Sequence, residues 1–270
     1  MNTNLRRSLW AVAFATPLAV TDVPAVEDTD TARENHSPCA RLPSQAQLRQ
    51  ALSLARGEPN GGFNLDMWGT LVNRDGIVCA VAFTGNNRGD QWPGSRVISA
   101  QKANTANAFS LPALALSTAN LYAAVQPGGT LFGLQHSNPV STAAAYKGPA
   151  VRFGQANDPL VGLRVGGINV FGGGLALYDQ KGILVGGIGV SGDTSCADHN
   201  IAWRTRNALQ LDFVPGGVSA NSDDNINYQG LVPVPSLAND FSHPICKIAG
   251  SDDVSEISAD LPPVRSVEED

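Results

Sequence analysis

The chain lacks a basic cluster, an apolar run long enough to span a bilayer, a C-x-x-C pair and histidines at metal-ligand spacing, and each absence excludes something. A net charge of -6 without a basic patch excludes nucleic acid and anionic membrane surfaces as natural partners. Leu9 to Val20 is the apolar stretch nearest in kind to a membrane helix and is too short for one, so no membrane span is expected in the mature protein. The cysteines are Cys39, Cys79, Cys196 and Cys246, and without a C-x-x-C pair neither a metal knuckle nor a thioredoxin-type motif is supported. The histidines are His36, His136, His199 and His243, which give no H-E-x-x-H and no zinc cage. There is no G-x-S-x-G, so no hydrolase triad is legible. Asp223, Asp224 and Asn225 do not complete a calcium loop.

What is present is a globular composition, 43% hydrophobic and 16% charged, with 28 glycines and 17 prolines. The 270 residues suffice for one sizeable core, and no charged or Ser-rich linker divides the middle. The N-terminus has the pattern of an export signal over residues 1–25. Arg6 and Arg7 form a positive region, Leu9 to Val20 is apolar, and Val23-Pro24-Ala25 offers a cleavage point. The protein is therefore expected to be exported, to the periplasm or the extracellular space. An even cysteine count suits such an oxidising location. Of three possible pairings, Cys39–Cys246 would tie the ends together and Cys79–Cys196 would cross the sheet, and this is the arrangement expected. Residues 26–43 read as a flexible segment, 44–240 as the folded domain, and 241–270 as a C-terminal extension whose acidic end is disordered.

Along the domain, Ser44 and Gln47 form a capping box for a helix to Ala55, stopped at Gly57. Met67 to Asn73 and Ile77 to Thr84 read as strands joined by Arg74-Asp75-Gly76, with Ile77, Cys79, Val81 and Phe83 on one face. Ser95 caps a helix to Ser110, and a shorter helix runs from Ser117 to Val125. Gly129 to Gly166 is irregular and long enough to be functional or oligomer-forming. Ile168 to Phe171, Leu175 to Tyr178 and Ile183 to Val190 read as strands, the last two joined by a hairpin at Asp179 to Gly182. Ser195 and Asp198 have capping-box spacing for a helix to Leu209. Hairpins in place of crossovers predict an α+β fold with a twisted, mostly antiparallel sheet flanked by helices.

Three places carry candidate chemistry. In the helix from Ser95, Ile98, Lys102, Thr105 and Phe109 form a stripe that sets an amine and a hydroxyl between apolar anchors, as a pocket wall would. The neighbouring stripe, Ser99, Ala103, Ala106 and Ser110, is small throughout and suits close packing on a sheet. Gly187-Ile188-Gly189-Val190-Ser191-Gly192 matches G-x-G-x-x-G, but the strand before it belongs to a hairpin and no strand–helix–strand unit follows, so a dinucleotide fold is rejected. Glycine there allows close backbone approach or a turn. With Ser191, Asp193, Thr194 and Ser195 beside a helix N-terminus, the corner suits a carboxylate-bearing ligand. His136 in the long loop and His199 beside Asp198 are candidates for haem ligation or acid–base work.

Two runs together are similar to a known family. Gly94-Ser95-Arg96 through Lys102-Ala103-Asn104-Thr105-Ala106 to Phe109 resembles the helix signature of GlcG/HbpS-type haem-binding, haem-degrading proteins. The strand Gly187 to Gly192, followed by Asp198 and Ala202, resembles the second signature, and the hairpin Val72 to Ala82 fits the first strands. The resemblance covers roughly residues 45 to 210. It implies a profilin/PAS-like α+β sandwich, homo-oligomerisation, haem or another tetrapyrrole as ligand, and slow haem degradation. It places Thr105 at the iron, with Lys102 near a propionate, and Arg96 is expected to offer a further charge to the propionates. His136 is the chemically stronger iron ligand, because threonine is a poor donor to haem iron. The chain departs from the pattern by extra length at about 128–166 and after Leu211, which could cover the pocket.

The leading expectation is thus an exported, oligomeric haem-binding protein with weak haem-degrading activity, using Thr105, Lys102, Arg96, His136, Ser191, Asp198 and His199. Two others stand beside it. One is a haem-free enzyme acting on a small organic acid with Lys102 and Asp198 as acid–base groups. The other is a structural oligomer without ligand.

Overall fold

The computed structural model describes residues 37–229 and 241–267. The expected export signal lies outside the described residues, as does His36. Local chemistry starts the first elements. α1 (Gln45–Gly57) begins at Ser44, where the expected capping box closes: the Gln47 side chain accepts from the Ser44 N–H at 2.9 Å and the Ser44 hydroxyl accepts from the Gln47 N–H at 3.4 Å. β1 (Trp68–Asn73) turns into β2 (Val78–Phe83) because Asn73 Oδ1 accepts from the N–H groups of Asp75 and Ile77, at 3.0 and 2.9 Å, and Gly76 takes a φ of 73°. α2 (Ser95–Phe109) follows, then α3 (Leu134–Ser137) and α4 (Thr142–Ala145), each about one turn. β3 (Gly174–Tyr178) and β4 (Leu184–Ser191) form a second hairpin by the same device, with Asp179 Oδ1 accepting from Lys181 and Ile183 and Gly182 at φ 69°. The order ends with α5 (Ser195–Ala208), the short strands β5 (Asn227–Tyr228) and β6 (Ser242–His243), and α6 (Val254–Ala259).

The main sheet has the order β2-β1-β4-β3 and every pairing in it is antiparallel. β1 lies between β2 and β4, so the glycine run belongs to an antiparallel centre and not to a dinucleotide fold. One face carries Leu71, Ala80, Leu175, Leu177, Ile188 and Val190 against Leu48 and Leu52 of α1 and Ile201 and Trp203 of α5. The other face takes α2. There Val97, Ala100 and Ala103 meet Trp68, Val72, Val78, Val81 and Phe83, and residues of the long insertion, Ala145, Leu160 and Val165, close the same cluster. Helices on both faces of an antiparallel sheet satisfy the expected fold class. No helix among the described residues is long and apolar enough to cross a membrane.

Several expectations are corrected. The disulfides are Cys39–Cys79 and Cys196–Cys246, with Cα separations of 5.5 and 6.0 Å, in place of Cys39–Cys246 and Cys79–Cys196. A register shift between Leu71 and Val72 pairs Leu71 with Ala80 and Val72 with Val78, so Cys79 is the extra residue of a bulge on edge strand β2. Cys79 is thereby released toward the Cys39 loop, while β1 and β4 stand between β2 and β3. The same bulge breaks the expected face of Ile77, Cys79, Val81 and Phe83, because Val78 joins Val81 and Phe83. Ile168 to Phe171 is not a strand among the described pairings. It is a strap lying over α2, tied to it by Asn104 and Thr105. The expected helix at Ser117–Val125 is two 3₁₀ turns, Thr118–Leu121 and Ala123–Val125. Thr194, not Ser195, caps α5, its hydroxyl accepting from Ala197 N at 3.3 Å, and Gly94 stands where Ser95 was expected to cap α2. Within the expected C-terminal extension, Leu261 joins the core and Trp203 Nε1 donates to Pro262 O at 2.8 Å, while the acidic end, 268–270, lies outside the described residues.

Candidate functional site

α2 lies directly on β4 because glycine removes the side chains that would hold it off. A Cβ at Gly189 would stand 2.5 Å from the Ala103 nitrogen and closer still to Ser99 O, and a Cβ at Gly187 would overlap Ala103 O. Neither glycine has a positive φ, so space and not backbone conformation requires them. The small stripe expected to pack on a sheet does so: Ser99, Ala103, Ala106 and Ser110 are all buried. What the glycine run approaches closely is the protein's own helix.

That contact carries the mixed stripe inward. Lys102 is 1% exposed, and its Nζ donates to Asp198 Oδ2 at 2.7 Å and to Val190 O at 3.1 Å. The other Asp198 oxygen accepts from Asp193 N at 2.9 Å. Burial lifts the Asp198 carboxyl to about 6, the Lys102 charge opposing that rise. The pair ties α2 to the first turn of α5. It is closed to solvent, which withholds the amine from a propionate and the carboxylate from a substrate.

Thr105 is 0% exposed and bonded both ways. Its hydroxyl donates to Gln101 O at 2.8 Å and accepts from Asn169 N at 3.0 Å. The Asn169 strap continues over α2, where Gly167 O accepts from Asn104 Nδ2 at 3.0 Å. Arg96 is turned into the insertion. It forms a two-pronged pair with Asp158, donates to Ala145 O at 3.1 Å, and lies 3.6 Å from the Phe153 ring centroid. The insertion therefore covers the signature helix. Asp158 was missed in the sequence, since nothing local marks a partner 62 positions from Arg96.

At the glycine corner, Ser191 is buried opposite Trp68 at the end of β4. The corner's N–H groups are satisfied internally. Asp193 accepts from Phe63 N at 2.8 Å, Leu65 N at 2.9 Å and Thr194 N at 2.6 Å. The chain supplies the carboxylate that a ligand was expected to bring. The described cavities open elsewhere, one of about 610 Å³ along Ile245 to Ser255 and one of about 460 Å³ between Gly57–Asn64 and Gly250–Asp252.

The histidines divide. His136 sits on α3, exposed, after Leu131 and Phe132, whose side chains are also exposed, Phe132 by 62%. His199 is fully buried on α5 beside Trp203, and burial, with the Arg206 charge, lowers it to about 3. His243, which sequence reasoning did not single out, lies against the Tyr122 ring, centroids 4.8 Å apart and planes tilted by 57°, and is lowered by burial to about 4. Arg206 and Asp224 form a third buried pair, with two bonds of 2.7 and 2.8 Å.

A helix docked on a glycine-seamed antiparallel sheet, with two helices on the opposite face, defines the chain as an α+β domain of the helix–sheet–helix sandwich class. It belongs to the HbpS-like family, whose model, described as haem degrading protein HbpS-like, matches residues 70–206, just over half of the chain. Among solved structures, the chain is similar to a PduOC:heme complex, at 23% identity and a TM-score of 0.42, covering 62% of this chain and 91% of that one. It is similar to protein ORFY of Klebsiella pneumoniae at 22% identity and a TM-score of 0.42, covering 62% and 90%. It is similar to a double mutant of HbpS from Streptomyces reticuli at 16% identity and a TM-score of 0.38, covering 73% and 99%. No curated protein matches the sequence.

Proposed function

We propose that the chain is an exported haem-binding protein whose iron-side donor is His136 on the insertion. The observation that carries the haem reading is membership of the HbpS-like family over residues 70–206. The residues at the signature helix do not fit a haem, because the Thr105 hydroxyl is occupied in both directions and Lys102 and Arg96 are held by Asp198 and Asp158. His136 does fit. Of the seven residues nominated in the sequence it is the one with an exposed side chain, and it stands next to exposed apolar groups suited to a porphyrin face. Bound haem would supply a redox-active iron. His136 would offer a ring nitrogen to it, and Leu131 and Phe132 would shield one side from water.

Export is supported by two disulfides and by the charged-then-apolar N-terminus, with cleavage after Ala25. Homo-oligomerisation is supported by exposed Tyr146 and Val151 on the insertion, which a second copy would cover. The test is hemin titration of the full chain followed by absorption. The expected result is a saturable shift of the Soret band that iron-free protoporphyrin does not match in affinity. A spectrum that superimposes on free hemin at every ratio overturns the reading. Slow haem degradation would show in the same samples as loss of Soret absorbance with time.

A further inference from the structure

α5 opens with Cys196 and His199, and β6 with the segment after it carries His243 and Cys246. The two pairs have mirrored spacing, C-x-x-H and H-x-x-C, and the Cys196–Cys246 bridge joins them. Counting cysteines and histidines separately hides this, because neither half holds two of a kind. Cys196 and His199 are three apart on one helix and share a face. His243 Nε2 lies 3.2 Å from Ser195 Oγ, which lies 3.4 Å from Cys246 Sγ. His243 Nδ1 donates to Pro244 O at 2.7 Å, leaving Nε2 as the lone-pair atom, the tautomer that a backbone carbonyl imposes on metal-binding histidines.

His199 adds an independent sign. It is fully buried, and neither ring nitrogen has a hydrogen-bond partner. The Asn225 side chain faces His199 and raises its basicity slightly, yet it makes no hydrogen bond of good geometry to either ring nitrogen; its amide nitrogen donates to Ser258 O at 3.2 Å and its oxygen accepts from Ser258 Oγ at 3.1 Å and from Ile226 N at 2.7 Å. With the bridge formed, the two sulfurs are bonded to each other, and no group of three or more His, Cys, Asp or Glu among the described residues is set to hold a metal.

We propose that reduction of the Cys196–Cys246 bridge converts this corner into a site for a Zn²⁺-class cation, bound by Cys196, His199, His243 and Cys246. A dithiol reductant delivers two electrons and two protons and is itself oxidised to a disulfide. The Sγ–Sγ bond breaks to two thiols, and the cation displaces their two protons. Two thiolates and two imidazoles are a tetrahedral zinc set, with Zn–S of about 2.3 Å and Zn–N of about 2.0 Å. The charges close: the thiolates cancel the cation, while the nearby Lys102 and Arg206 are already paired with Asp198 and Asp224. The metal would replace the covalent tie between α5 and the C-terminal segment.

The experiment uses Co²⁺ as a spectroscopic probe on the full chain, oxidised and after reduction by a phosphine that does not compete for metal. The reduced chain is expected to take up Co²⁺ with intense tetrahedral d–d bands and a thiolate charge-transfer band, and the oxidised chain is not. His199→Gln and His243→Gln are each expected to weaken uptake by about tenfold or more, while Cys39→Ser/Cys79→Ser leaves it intact. Far-ultraviolet circular dichroism checks that the variants fold, and His243→Gln decides if His199→Gln does not. A reduced chain without the tetrahedral spectrum, equal uptake by the oxidised chain, or uptake indifferent to His243→Gln overturns the proposal.

Discussion

Replacing Lys102 by Met is the perturbation that most sharply separates a structural tie from a ligand-binding amine. Lys102 and Asp198 are each almost completely buried, and their 2.7 Å contact is the only ion pair Asp198 makes among the described residues. Removing the amine leaves a carboxylate in a site without water, with one remaining N–H bond from Asp193. Breaking a buried pair in this way costs about 3–5 kcal/mol, whereas replacing both members is often neutral. At roughly 2–4 °C per kcal/mol for a chain of this size, Lys102→Met should melt about 10 °C lower. Lys102→Met/Asp198→Asn should recover most of that, because the new amide can still accept from Asp193 N–H. The loss should also depend on pH. Burial holds the Asp198 carboxyl at about 6, above its unfolded range, so between those values the native state binds the proton more readily. The contribution is therefore most favourable in acid and is lost as pH rises through the folded value. Without Lys102 that value rises further, so the deficit should be larger near pH 8 than near pH 5. Urea midpoints of wild type, both single variants and the double variant at the two pH values measure it, and hemin affinity should be unchanged in Lys102→Met. A loss below about 1 kcal/mol that is the same at both pH values would refute the reasoning, for Lys102 would then be a solvated amine.

Gly189→Ala should destabilise by about 1–3 kcal/mol or more through overpacking against Ser99 O and Ala103 N, while Gly94→Ala, with open space around it, should be near neutral; urea midpoints compare them. Non-reducing peptide maps should show only Cys39–Cys79 and Cys196–Cys246, and by loop-closure entropy each bridge, closing 40 and 50 residues, should contribute about 4 kcal/mol, read as loss of melting temperature on reduction without metal. His199 and His243 are held neutral with values lowered to about 3 and about 4, so the stability tied to their neutral forms is complete above the unfolded value near 6.5 and is lost as pH falls through 4 and 3. His199→Gln should therefore flatten the acid limb of a stability-against-pH curve, and an unchanged limb would contradict the burial of that ring.

Much of the architecture was legible because the deciding chemistry is local. Ser44 with Gln47, and Asn73 and Asp179 ahead of their glycines, start or turn the chain within four residues. The small stripe of α2 and the glycines of β4 were both visible, yet only the fold shows that they meet. What failed was set by distant partners. The disulfide pairing turned on a bulge at Cys79 that no residue type announces. Ile168 and Val170 alternate as a strand would, but they belong to the strap over α2 and bury against Leu116, Leu121 and Val125 rather than in a ladder. Lys102 was read as part of a polar-tipped pocket wall, but its amine is buried against Asp198, a partner 96 positions on. Thr194 and Ser195 offer adjacent hydroxyls, and capping was decided by which one reaches the Ala197 N–H.

The account stands or falls on where haem iron meets the protein. Hemin titration of wild type, Thr105→Val and His136→Ala, read at the Soret band, tests this most directly. The bound spectrum should persist in Thr105→Val and be lost in His136→Ala. Persistence in His136→Ala with loss in Thr105→Val would contradict the account, because iron would then reach a hydroxyl that Gln101 and Asn169 hold beneath the insertion.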